Sequence, residues 1–108
     1  MTTAFLIVDV QNDFCEGGSL AVKGGTEVAL NISAHLSDEY YDVLVTTQDW
    51  HLPDDDNGGH FPKWPLHCVA GTDGAELHPR LVLPRKPDIK VFKGIGVEGY
   101  SGFDVTGS

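Results

Sequence analysis

Apolar and polar positions alternate along this chain in three distinct ways, and each predicts a different element. The first is a nearly unbroken apolar run at residues 4–10, Ala4-Phe5-Leu6-Ile7-Val8-Asp9-Val10, which is apolar on both parities. That pattern fits a parallel strand buried on both faces, with Asp9 near its carboxyl end. The second is helical. After a Gly-rich turn, Val28, Ala29, Ile32 and Leu36 recur on one face at the spacing of an α-helix, with Thr26 placed to cap its start and an end near Ser37. The third pattern is a short β-branched run, seen in Val43-Leu44-Val45-Thr46-Thr47 and again in Ile89-Lys90-Val91-Phe92. Strand, helix and strand in that order imply a right-handed parallel crossover, hence an α/β fold with a parallel β-sheet.

Residues 48–88 break all three patterns. They hold all six prolines and show no amphipathic helix. A structureless stretch of that length is rare in a compact domain unless it serves a site. Asp9, residues 49–67 and Lys93 all fall at carboxyl ends of predicted strands, where ligands bind in open α/β sheets. The polar clusters are therefore expected to converge on one crevice.

Within that loop, Asp49-Trp50-His51 puts two ligand-type side chains on the same side of an extended backbone. His60 and His67 follow. One carboxylate and three imidazoles suit zinc, iron or manganese better than calcium or magnesium, although the same residues could be scattered surface groups of a polar loop. The acidic run Asp54-Asp55-Asp56 beside Asn57-Gly58-Gly59 reads as a solvated turn, outside any site. Asp9 fits either a proton acceptor at a buried strand end or an aspartate capping the next turn. Lys93 by itself fits a snorkelling surface lysine as well as a functional cation.

Bulk composition narrows the partners. A chain of 108 residues with 41% apolar content allows one domain. Seven Lys and Arg against sixteen Asp and Glu give a net charge of −9, which repels nucleic acid and anionic membrane surfaces. No apolar run approaches the roughly 20 residues that span a bilayer, and the start carries no basic region of a signal peptide. A cytoplasmic protein with Cys15 and Cys68 as free thiols is expected.

Four stretches carry a family resemblance. They are Asp9-Val10-Gln11-Asn12-Asp13-Phe14-Cys15-Glu16-Gly17-Gly18-Ser19-Leu20, Gln48-Asp49-Trp50-His51, Trp64-Pro65-Leu66-His67-Cys68-Val69-Ala70-Gly71-Thr72, and Phe92-Lys93-Gly94 with Gly99-Tyr100-Ser101-Gly102-Phe103. Together and in this order they resemble the N-terminal half of nicotinamidases, also called pyrazinamidases, of the isochorismatase-like cysteine hydrolases. The resemblance implies a three-layer α/β fold of which residues 1–108 form only the N-terminal part, incomplete at the C-terminus. It implies hydrolysis of nicotinamide, or a similar carboxamide, to the acid and ammonia. Asp9 and Lys93 match the family's catalytic aspartate and lysine. Asp49, His51, His60 and His67 match the ligands of one divalent transition metal, with His60 anchored only by its local His-Phe pair. Phe14, Trp64 and Tyr100 match substrate-pocket positions.

The family's nucleophile is a cysteine C-terminal to all of these, and Cys15 and Cys68 match positions that are not the nucleophile. The 108-residue chain alone is therefore expected to be inactive, with a second polypeptide carrying the C-terminal half as a possible partner. A non-catalytic metal- or ligand-binding module and another hydrolase of the same family are the alternatives.

Overall fold

The computed structural model describes residues 2–98. Three strands form one parallel sheet in the order β1-β2-β3, with β1 at Ala4–Val8, β2 at Val43–Asp49 and β3 at Ile89–Lys93. Helix α1, Gly25–Asp38, makes the crossover from β1 to β2. Both the α/β class and the parallel sheet follow the sequence reading, and α1 ends one residue beyond the expected Ser37.

Register decides which side chains share a face. Phe5 pairs with Leu44 and Ile7 with Thr46, so these residues face one side. Ile7 and Leu44 join Val10, Ala29, Leu36 and Leu81 in the buried core, and Phe5, Ile32, Tyr41, Leu77 and Leu83 pack around it. Helix α1 contributes Ala29 and Leu36 to that core, two of the four positions whose helical spacing predicted it.

The opposite face corrects the sequence reading. β1 was expected to be buried on both faces, but Leu6 is 47% and Val8 61% exposed, and Ile89 on the same face is 51% exposed. Among the described residues α1 covers one face alone.

Thr26 does not cap α1 either. The N-cap is Gly24, in the left-handed region at φ 88°, and Thr26 lies inside the helix. The first-turn amides are met instead by Glu16, whose carboxylate accepts from Gly24 N at 3.2 Å and Thr26 N at 2.9 Å. A carboxylate is the better partner there, because it meets both the orphan amides and the positive end of the helix.

Residues 50–88 are less structureless than expected. They include a one-turn helix, α2, at His60–Lys63 and a 3-10 turn at Asp73–Ala75. The loop folds back along β1: His78 N donates to Val10 O at 2.9 Å and Asn12 N to Glu76 O at 3.0 Å. Its apolar residues Leu77, Leu81 and Leu83 close the core, and Asp88 starts β3 by accepting from Leu44 N at 2.8 Å. No helix among the described residues is long and apolar enough to cross a membrane.

Candidate active site

All three strands deliver a charged group to the same end of the sheet. Asp9 follows β1 directly and takes up the left-handed region at φ 56°, a conformation that a short polar side chain tolerates better than an apolar one. Asp49 and Lys93 are the last residues of β2 and β3 and are paired in register. Lys93 is only 4% exposed and lies between two carboxylates: Asp9 Oδ2 at 2.9 Å and Asp49 Oδ1, both in hydrogen-bonding contact. Asp9 Oδ1 also accepts from Thr47 Oγ1 at 2.7 Å. Lys93 is thus no snorkelling surface lysine. Burial works against its charge, but the two carboxylates outweigh that and hold its pKa above the ordinary lysine value. Burial likewise favours neutral Asp49, and His51 and Lys93 overcome it to keep the carboxyl below its usual range.

The three loop histidines converge beside this group. One nitrogen from each of His51, His60 and His67 lies within 4.8 Å of the others, and all three residues are buried. The tautomers of two follow from backbone partners. His51 Nδ1 lies 2.9 Å from Gly94 O and His67 Nδ1 lies 2.5 Å from Pro65 O. A carbonyl only accepts, so Nδ1 carries a proton in each, and in the neutral ring Nε2 is left with a lone pair free for a metal. His51 Nε2 is buried without a hydrogen-bond partner, 3.5 Å from Asp49 Oδ2. His67 Nε2 stands 3.1 Å from His60 Nε2 and 3.9 Å from the same carboxylate oxygen. Burial and the neighbouring imidazoles lower the pKa of His60, which favours the neutral ring a metal requires.

Lone pairs facing one another in a buried cluster are costly unless a cation lies between them. Two ligands of one tetrahedral zinc stand roughly 3.4 Å apart, by the ordinary zinc–nitrogen length. The observed spacings fit that donor set, so these residues could hold a metal.

A cavity of about 220 Å³ joins both groups. It is lined by Asp9, Asp49, Lys93, His60 and His67 on the polar side and by Phe14, Leu20 and Trp64 on the apolar side. His51 lies behind, packed on His60 at 4.4 Å and Phe61 at 5.3 Å between ring centroids. A wider open depression of about 570 Å³, lined by residues such as Pro53, Phe61 and Leu66 with the acidic run 54–56, contains no imidazole or lysine. Every expected site residue except Tyr100, which lies outside the described residues, is therefore in or against one cluster.

Neither thiol is poised to react. Cys15 and Cys68 are buried, and burial pushes the pKa of both above the ordinary thiol value.

Three polar residues that the sequence reading passed over hold the site in place. Gln11 is fully buried; its Nε2 donates to Asp49 O and Ala75 O, both at 2.8 Å, and its Oε1 accepts from Asp49 N at 2.9 Å. Asp13 Oδ2 accepts from Cys68 N at 2.8 Å, next to His67. Asn57 braces the histidine loop from within. The available signal was positional: Gln11 is an uncharged amide three residues past β1.

Comparison with known proteins places the chain among amide-hydrolase relatives. The chain is 46% identical over 109 residues to a nicotinamidase/pyrazinamidase of Mycobacterium tuberculosis, a match covering 94% of the chain and 56% of that protein. It is 35% identical over 125 residues to a nicotinamidase of Escherichia coli, covering 93% and 56%. Among solved structures, the pyrazinamidase of Pyrococcus horikoshii in complex with zinc superposes with a TM-score of 0.76 at 28% identity, over 94% of the chain and 57% of that structure. PnC1 of L. infantum in complex with nicotinate gives 0.75 at 39% identity, over 87% and 48%. The chain thus spans about half the length of the curated relatives it matches. The isochorismatase domain matches residues 3–107, and the chain belongs to that family.

Proposed function

We propose that this chain carries the metal site and the acid–base pair of a nicotinamidase, an amidohydrolase that converts nicotinamide or a similar carboxamide to the acid and ammonia. One observation carries the reading: Asp9, Lys93 and the Asp49-histidine cluster border a single cavity that also has an aromatic wall. The relatives named nicotinamidase, and the neighbour holding nicotinate, support the substrate class.

Each residue has a role in this reading. Asp49, His51, His60 and His67 would hold one divalent transition metal, zinc, iron or manganese, which would supply Lewis-acid chemistry beside the cavity. Phe14 and Trp64 flank the ring, and the family resemblance adds Tyr100, outside the described residues, as a further substrate-binding residue. Asp9 accepts the proton of the attacking thiol and returns it to the leaving ammonia. Lys93 favours the thiolate and fixes the orientation of Asp9 through the 2.9 Å contact. The thiol is neither Cys15 nor Cys68, both of which are buried and hold their protons. It belongs to the cysteine that the family places C-terminal to these motifs.

The test is ammonia release from nicotinamide by the protein that carries this segment. Asp9→Asn should lower kcat by about 10²–10⁴, the usual worth of general acid–base catalysis, while zinc content stays unchanged. His51→Ala together with His67→Ala should remove the metal. Retention of zinc by that double variant would sink the cage assignment. Zinc and nicotinate binding without turnover in the wild type would favour a binding module instead.

A further inference from the structure

Residues 52–59 connect two of the three histidines, and after Leu52 and Pro53 they run through three aspartates and two glycines with no further apolar side chain. Such a stretch has little reason to hold one shape. Asp55 Oδ1 and Asp56 Oδ1 accept from Asn57 N at 2.6 Å and Gly58 N at 3.2 Å within the turn, and one side chain ties the turn to the rest of the site. Asn57 is 0% exposed and uses its full hydrogen-bonding capacity. Its Oδ1 accepts from Leu52 N at 2.8 Å and from Gly96 N at 2.9 Å. Its Nδ2 donates to Leu52 O at 3.1 Å and Asp55 O at 3.0 Å.

The partners of Asn57 explain why this matters. Leu52 follows His51 directly. Asn57 O accepts from His60 N at 3.3 Å, at the start of α2. Gly96 lies two residues beyond Gly94, whose carbonyl fixes the tautomer of His51. A single amide therefore ties together the segment bearing His51, the segment bearing His60 and the backbone that orients His51. Asn57 itself sits at φ 53°, a left-handed conformation that Asn adopts more readily than most residues. Gly58 packs so closely that an added Cβ would come within 3.0 Å of Glu98 N, so the same two segments also meet backbone to backbone.

We infer that Asn57 is a positioning residue for the metal cluster: it sets the spacing of His51 and His60 by clamping residues 52–59 to the segment after β3. The inference rests on the metal reading above. Asn57 touches no ligand atom and acts through Leu52, Gly96 and its own backbone. The outer partners of metal ligands typically govern affinity by 10–100-fold, which sets the expected effect.

The test uses the full chain and two probes, zinc affinity by competition with a chromophoric chelator and the visible spectrum of the Co²⁺-substituted protein. Asn57→Ala should weaken zinc binding by about 10–100-fold and alter the Co²⁺ band intensities that report ligand geometry. Gly96→Ala provides a milder variant should Asn57→Ala fail to fold. At φ +68° an alanine is strained, and its Cβ would meet Leu52 Cδ1 at 3.1 Å, pulling Gly96 N from Asn57 Oδ1. It should shift both readouts in the same direction by a smaller amount.

Ser33→Ala separates positioning from general loosening. It removes an exposed link between α1 and Arg80 and Val82, away from the cluster, and should leave both readouts unchanged. Wild-type zinc affinity and spectrum in Asn57→Ala would overturn the inference, as would an equal loss in Ser33→Ala. Zinc binding that survives His51→Ala with His67→Ala would remove the metal reading and this inference with it, an outcome distinct from the other two.

Discussion

At the residue scale, charge and its local partners separate what was legible from what was not. The clustering of Asp49, His51, His60 and His67 was legible because side chains able to bind metal are few in kind and these four fall at the end of β2 and in the loop after it. Lys93 was ambiguous in isolation, since its role depends on two carboxylates that arrive from other strands. Gln11 was missed because nothing in a linear pattern says that an amide will meet a peptide 38 residues away. The structure makes it consequential. Replacing Gln11 with Leu would leave Asp49 N and Asp49 O without their partners, whereas Ala75 O keeps Gln48 Nε2 at 2.9 Å. Each orphaned buried group costs about 1–3 kcal/mol, so losing both partners of Asp49 in Gln11→Leu is expected to destabilise the fold by roughly 2–6 kcal/mol. Urea unfolding measures this directly. A loss under about 1 kcal/mol would show that the amide is not what seats the Asp49 peptide.

At the element scale, the strands and α1 were legible because periodicity and β-branching are local signals, and their boundaries hold to within two residues. The cap of α1 was not legible. Thr26 has the right residue type at about the right place, but Glu16 reaches the helix start from ten residues upstream. That approach depends on Gly17 and Gly24, at φ 90° and 88°, turning the chain back. The Glu16 carboxyl is lowered to about 2, chiefly by the hydrogen bond from Thr26 N and with help from Gly24 N. A depressed folded-state pKa stabilises above the unfolded-state value and is lost as pH falls through the folded one. The contribution of the Glu16 charge should therefore be complete above about pH 4.5 and decline toward pH 2. Glu16→Gln keeps an acceptor but removes the charge. Its urea midpoint should lie below that of the wild type at pH 6, and the gap should narrow at pH 4 and again at pH 3. A gap independent of pH would mean that Glu16 acts only through hydrogen-bond shape.

At the scale of the whole molecule, two opposing forces act on the face of the sheet that α1 leaves uncovered. Leu6, Val8 and Ile89 present an apolar strip on β1 and β3, about half exposed, with the partly buried Val45 of β2 between Leu6 and Ile89 and Val91 beside Ile89 on β3. Contiguous apolar surface favours association. Against it stands the net charge of −9, which makes copies of the chain repel one another. Salt decides the balance, because the repulsion is screened beyond about 8 Å at 0.15 M while burial of apolar area is not weakened. The chain should scatter little light at low ionic strength and progressively more between about 0.02 and 0.5 M sodium chloride, as the Debye length falls. Leu6→Glu with Ile89→Glu should suppress that rise, since it both interrupts the strip and adds two negative charges, while far-UV circular dichroism stays that of the wild type. A wild-type chain that remained monodisperse at high salt, with a single cooperative melt, would show that this face does not drive association. Scattering that fell with added salt would point to attraction between charged patches rather than to the apolar strip.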